Sequence, residues 1–167
     1  HVWNWDTLCE WEDVSRQARI DETEIHFGFL FGIMVEKGAQ YPKDDPRRYF
    51  KYRVVRGNDG KDQNWDVALF QEMASTPTTL EAARYSDLYP MLPGHSTEGR
   101  DVQQAYLQTE MKGAPTYMLV PKELWKEQMH KIRCPVVKLE KAIYGHKNAG
   151  AFRQEYCDER CKNDGFE

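Results

Sequence analysis

The stretch HFGFLFGIMVEK, residues 26–37, followed after a short polar segment by YFKYRVVR, residues 49–56, decides how the chain is read. Both runs are rich in aromatic and β-branched side chains, which suit a pleated, half-buried backbone. YPKDDPRR at 41–48 carries two prolines and five charged residues and is a loop. Gly57-Asn58-Asp59-Gly60 is a strong turn signal that ends the second run. Two strands joined by a basic loop make a plausible antiparallel pair.

Outward from this pair the pattern remains mixed. Within the acidic, Trp-rich residues 1–24, Glu10, Trp11, Val14 and Ala18 fall at helical spacing and predict one short amphipathic helix. Thr78 with Glu81 fits a capping box opening a helix to about Leu88, with Leu80, Ala83 and Tyr85 available for burial. Pro90 and Pro93-Gly94 stop it. GRDVQQAYLQ at 99–108 and TYMLV at 116–120 read as strands, PKELWKEQMH as a short helix and PVVKL as a further strand. A last helix runs from Ala149 to about Lys162. The sum is an α+β domain with antiparallel pairing and packed helices, not a repeated βαβ pattern.

The chain has 167 residues, enough to bury a core, with 40% hydrophobic and 30% charged residues. No apolar run approaches the roughly 20 residues that a membrane span needs, so no membrane partner is expected. The chain opens on His1 and an acidic, aromatic segment, unlike a secretory signal. Without an initiator Met, the N-terminus is expected to be cut from a longer protein. Cys9, Cys134, Cys157 and Cys161 are then expected to be reduced thiols in an intracellular, non-secreted protein.

The net charge of −4 argues against a nucleic-acid partner, but its distribution argues the other way. Residues 43–61 carry seven Lys or Arg against three Asp, and residues 101–152 carry eight against five acids. The first 42 residues hold the acidic excess. Phosphate binding depends on the local field, so a basic strip on an acidic chain is compatible with it.

Three segments, in order, resemble the reverse transcriptase of copia-type retrotransposons. KYRVVRGN at 51–58 is similar to K-A-R-L-V-x-x-G. DVQQAYLQTEMKG at 101–113, followed by YMLVP, is similar to D-V-x-x-A-F/Y-L…Y-M-x-x-P. KLEKAIYGHKNAGAFRQEYCDERCKNDGF at 138–166 is similar to K-L-x-K-A-L-Y-G-L-K-Q-A-P-R-x-W…G-F. The resemblance spans roughly residues 28–166. It implies the fingers and the first part of the palm of a right-hand polymerase, with an N-terminal acidic helical segment at 1–25 and a partial reverse transcriptase domain at 26–167.

The implied activity is RNA-directed DNA polymerisation by a Pol polyprotein, located in a cytoplasmic particle or the nucleus. The implied partners are an RNA/DNA template-primer, a deoxynucleoside triphosphate (dNTP), two Mg²⁺ ions and the other polyprotein segments. By resemblance Asp101 is a catalytic metal ligand, and a carboxylate is the hard oxygen donor that Mg²⁺ prefers. Ala105 lets backbone approach the triphosphate, and Tyr106 stands at the steric gate that rejects a ribose 2′-hydroxyl. Arg53 contacts the triphosphate, a task its planar fork suits. Lys51, two residues away on the same strand face, adds charge. Tyr144-Gly145 resembles the nucleotide-pocket turn.

Read without the resemblance, Asp101 is a strand-entry or turn carboxylate and Tyr106 a core aromatic. The second carboxylate pair that a polymerase needs, Tyr-x-Asp-Asp, is absent. Asp44-Asp45, bracketed by Pro42 and Pro46, belongs to a solvated turn. The fragment alone is therefore expected to bind without polymerising. The other readings are a non-catalytic nucleic-acid-binding domain, a remnant of a decayed element, and a zinc module on His130, Cys134, Cys157 and Cys161.

Overall fold

The computed structural model describes residues 2–57, 60–69, 78–97, 99 and 101–165. The turn expected at 57–60 and the Gly-Phe expected at 165–166 lie partly outside these residues. In chain order the elements are β1 (Trp3–Glu10), α1 (Trp11–Ile20), β2 (His26–Lys37), β3 (Tyr49–Arg56), β4 (Lys61–Asp62), α2 (Leu80–Leu88), β5 (Thr116–Leu119), β6 (Pro135–Leu139) and α3 (Ala149–Asn163). The fold is α+β. Among the described residues one six-stranded sheet runs β1-β6-β5-β2-β3, with β4 also paired to β2.

β2 organises the sheet because its two halves do different work. Its first residues, His26–Phe29, pair with β5, while residues 30–37 pair antiparallel with β3, from Leu30↔Arg56 to Lys37↔Tyr49. The outer half of this hairpin leaves Phe31, Ile33, Met34 and Val35 exposed. Arg48 Nε donates to Glu36 Oε1 at the loop end of the hairpin, and Arg47 holds Asp45 within the loop.

The antiparallel expectation holds for four pairings and fails for one: β2 and β5 run parallel. Parallel neighbours require a crossover, and here residues 38–115, which include β3, β4 and α2, lie between the two strands.

The sheet buries both faces. On one, Trp11 and Ala18 of α1 meet Ile25, Phe27 and Val136, with Tyr117 and Leu119 at the margin. On the other, Met118 packs with Leu30, Leu139 and Ile143. Alternation along β5 sends Met118 to one side and its two neighbours to the other. Val137, Val120 and Met129 continue the core toward Trp3, Trp5 and Trp125. Glu10 ends β1 and ties the first helix to the sheet: its carboxylate accepts from the backbone N–H of Arg133 and Cys134 at 2.9 and 3.1 Å.

Several expectations are corrected. Residues 3–10 form a strand paired to β6, so the acidic N-terminal segment is only partly helical and its first part belongs to the main sheet. The cap of α2 is Thr79, whose hydroxyl accepts from Ala82 N at 3.2 Å, not Thr78. No residue of α2 is buried, and Leu80 and Tyr85 are exposed. PKELWKEQMH forms two short 3-10 turns, Lys122–Leu124 and Glu127–Lys131, with Trp125 between them donating its indole N–H to Val120 O. None of the described residues between 99 and 108 lies in a strand. Gln104 adopts a left-handed conformation (φ 51°), which no strand tolerates, and Ala105–Gln108 follow as a 3-10 turn.

Candidate functional site

Three of the residues singled out by sequence, Lys51, Arg53 and Tyr144, line one cavity of about 360 Å³ beside the β2–β3 hairpin. Lys51 and Arg53 reach it from β3, two residues apart and in register with Val35 and Ile33. Tyr144 closes it from the turn that follows β6, with Trp3, Gln104 and Leu107 completing the wall. More than ninety residues of sequence separate Lys51 from Tyr144. The sheet brings them together because β3 and β6 both lie along the path through β2 and β5.

The turn is tied directly to β3. Arg56 N donates to Tyr144 O at 2.8 Å. Gly145 follows with φ 89°, and a Cβ there would stand 2.1 Å from Arg56 O. Glycine at 145 is required on both counts. The close approach it permits is to the chain's own backbone at Arg56, which differs from the nucleotide contact implied by resemblance.

Tyr106 joins the site through a ring contact. Its ring meets that of Tyr144 edge-on, with centroids 4.7 Å apart and planes at 88°, the geometry aromatic quadrupoles favour. Tyr106 is half-buried in the 3-10 turn, and Ala105 opens that turn without lining the cavity.

Asp101 stands apart. It is exposed, precedes the left-handed Gln104, heads no strand and is not part of the cavity wall. Its expected position at the start of a central strand is corrected for the reason already given: the backbone turns at Gln104.

The cavity's chemistry follows from its walls. Its charged side chains are Lys51 and Arg53, both cations. Guanidinium and ammonium groups at a mouth lined by aromatic and aliphatic surface suit a ligand with an anionic end and a flat or apolar body. Among the described residues no group of three or more His, Cys, Asp or Glu is arranged to hold a metal ion. The described donors therefore do not assemble a two-metal centre, since Asp101 brings one exposed carboxylate. Nor do His130, Cys134, Cys157 and Cys161 assemble a zinc site. Cys134 packs at the edge of the core, where burial raises its pKa and that of Cys9, as expected of apolar fillers rather than reactive thiols.

Sequence reasoning missed Trp3, Gln104, Leu107 and Ile143 as parts of this wall. The period-two alternation of Trp3, Trp5, Thr7 and Cys9 with polar Asn4 and Asp6 was the available signal for Trp3 and its strand. Nothing comparable marked the other three.

No protein-family model matches the sequence, and no curated protein and no solved structure matches it either. No helix among the described residues is long and apolar enough to cross a membrane.

Proposed function

We propose that the chain is the fingers and partial palm of a copia-type RNA-directed DNA polymerase, and that its β3 cavity receives the triphosphate of an incoming deoxynucleotide. The supporting observation is convergence. Lys51, Arg53 and Tyr144 wall one cavity, and Tyr106 is in ring contact with Tyr144. Arg53 supplies a bidentate fork for phosphate oxygens and Lys51 a point charge beside it. The Tyr106–Tyr144 pair offers a rigid aromatic wall for the sugar. In this reading the template-primer runs along the basic hairpin, the other Pol segments complete the enzyme, and the protein works inside the cell, in a cytoplasmic particle or the nucleus. Asp101 is the carboxylate assigned to Mg²⁺ by resemblance, and polymerisation belongs to a longer chain carrying Tyr-x-Asp-Asp.

A second reading, a nucleic-acid-binding domain without catalysis, is favoured by a specific observation: Asp101 lies outside the cavity and is exposed. Exposed Tyr49, Phe50 and Tyr52 on the basic hairpin would then serve as stacking surfaces.

The test joins the chain to a downstream segment bearing Tyr-x-Asp-Asp and measures primer extension with Mg²⁺. Extension that is abolished by Asp101→Asn and strongly reduced by Arg53→Ala supports the polymerase. Retained oligonucleotide binding with no extension, or with extension indifferent to Asp101→Asn, removes it and leaves the second reading.

A further inference from the structure

The outer half of β2 has an open edge. From Leu30 to Lys37 it is bonded to β3 on one side, while on the other side β5 stops opposite Phe29. An antiparallel ladder bonds alternate residues toward each neighbour. The hydrogen bond from Gly57 N to Phe29 O sets the phase, so Phe31, Ile33, Val35 and Lys37 turn their backbone groups toward β3. His26 N, which donates to Pro115 O beside β5, fits the same phase: even-numbered residues face the opposite side. The N–H and C=O groups of Gly32, Met34 and Glu36 therefore point outward, and no described residue pairs with them.

This edge lacks the devices that usually keep strand edges apart. Phe27 to Val35 contains no charged residue and no proline, and the β2–β3 register runs without a bulge. Phe31, Ile33, Met34 and Val35 stand between 39% and 66% exposed along it. The other edge of the hairpin is different. β3 carries Lys51 and Arg53, and Arg56 N is already bonded to Tyr144 O. Two copies meeting through the centre of β3 would set those cations against each other.

We propose that the outer half of β2 pairs with the same segment of a second copy of this chain, antiparallel about a two-fold axis at Ile33. The hydrogen-bond phase admits this register, because Gly32 of one copy and Met34 of the other both face outward and exchange backbone bonds. Ile33 then stands opposite its own counterpart and Phe31 opposite Val35, in the closely spaced pairs where side chains interact most. Aromatic against β-branched is a favourable cross-strand pair. The charges agree. Glu36 falls opposite Leu30 and Lys37 opposite Phe29, so no like charges meet. The two β3 strands become the outer strands of a four-stranded ribbon, about 14 Å apart, beyond the screening length of about 8 Å in physiological salt. No residue lining the β3 cavity belongs to β2, so the pairing does not rest on the nucleotide reading.

The experiment is sedimentation equilibrium of the 167-residue protein, with a thiol reductant present, from about 1 to about 200 µM, the range in which a small interface associates. The proposal expects a reversible monomer–dimer equilibrium. Met34→Pro removes an outward N–H without touching a β2–β3 hydrogen bond, and should weaken the dimer about tenfold or more. Ile33→Lys, at an exposed position, sets two ammonium groups together at the axis and should weaken it at least as much. An equimolar mixture of Ile33→Lys and Ile33→Glu should dimerise more strongly than either variant alone, which a general loss of folding would not produce. Circular dichroism checks that each variant is folded, and if Met34→Pro is not, the two Ile33 variants carry the test. A monomer at every concentration would overturn the proposal and leave the edge to a strand of a different chain. A dimer unchanged by the folded edge variants, a mixture no stronger than its components, or open-ended growth beyond two copies would also overturn it.

Discussion

His146 should make the fold sensitive to mild acid. The ring is 6% exposed, packs against Phe152 with centroids 5.9 Å apart, and accepts from the backbone N–H of Asn148 in the turn that starts α3. Burial, then the charges of Arg56 and His26, lower its pKa from 6.5 to about 4. A base whose folded pKa is lowered stabilises the fold fully above its unfolded pKa. That contribution is lost as pH falls, because the unfolded chain takes up a proton that the folded chain refuses. The window therefore runs from about pH 6.5 down to about pH 4, and at 1.36 kcal/mol per pH unit the loss approaches about 3 kcal/mol. For a domain of this size that is a large share of total stability.

Urea unfolding at a series of pH values, in chloride buffers, measures it directly. His146→Asn should be less stable at neutral pH because it loses packing on Phe152. Its stability should nevertheless fall by markedly less over the acid window, and the difference between the two curves isolates the histidine. Parallel curves for the two proteins would refute the reasoning.

Other positions carry consequences of the same kind. Gly145→Ala forces a side chain into φ 89° and against Arg56 O, and should cost more than about 2 kcal/mol. Gly94→Ala, at φ 78° but with nothing within 4 Å of the new Cβ, should cost less; thermal melts of the two variants compare them. Met118→Ala removes a fully buried side chain at the centre of the sheet and should cost about 2–5 kcal/mol in denaturant unfolding. Glu10→Ala strips the acceptor from the N–H groups of Arg133 and Cys134 and should lower stability by about 1–3 kcal/mol. Glu10→Gln, which keeps one acceptor oxygen, should recover part of that loss.

Where side-chain pattern and local backbone agree, the sequence is legible. β2, β3 and β6 occupy the stretches read as strands, because HFGFLFGIMVEK, YFKYRVVR and PVVKL are dense in residues that pack on a pleated surface. The reading of 99–108 failed because Val102, Tyr106 and Leu107 suggest a strand, whereas one left-handed residue at Gln104 turns the chain, and composition does not announce it. The parallel β2–β5 pairing was hidden for a different reason. It joins His26 to Thr116 across a crossover, and period-two alternation looks the same in either direction. The cavity residues Lys51, Arg53 and Tyr144 were found through motif resemblance. Trp3, which shares their wall, comes from a strand that the helical spacing of Glu10, Trp11, Val14 and Ala18 obscured. The buried His26–Arg56–His146 cluster left no sequence signal, since its members lie on β2, on β3 and in the turn before α3.

The most direct measurement is the location and strength of dNTP binding. Titration of the isolated chain with dTTP and Mg²⁺, followed by NMR, should perturb resonances of Lys51, Arg53, Tyr106 and Tyr144 together. Arg53→Ala should weaken binding about tenfold or more, the expected loss for a charge-assisted phosphate contact. Binding that leaves those four residues unmoved, that centres instead on His26 and His146, or that survives Arg53→Ala unchanged would contradict the assignment of the β3 cavity to a nucleotide.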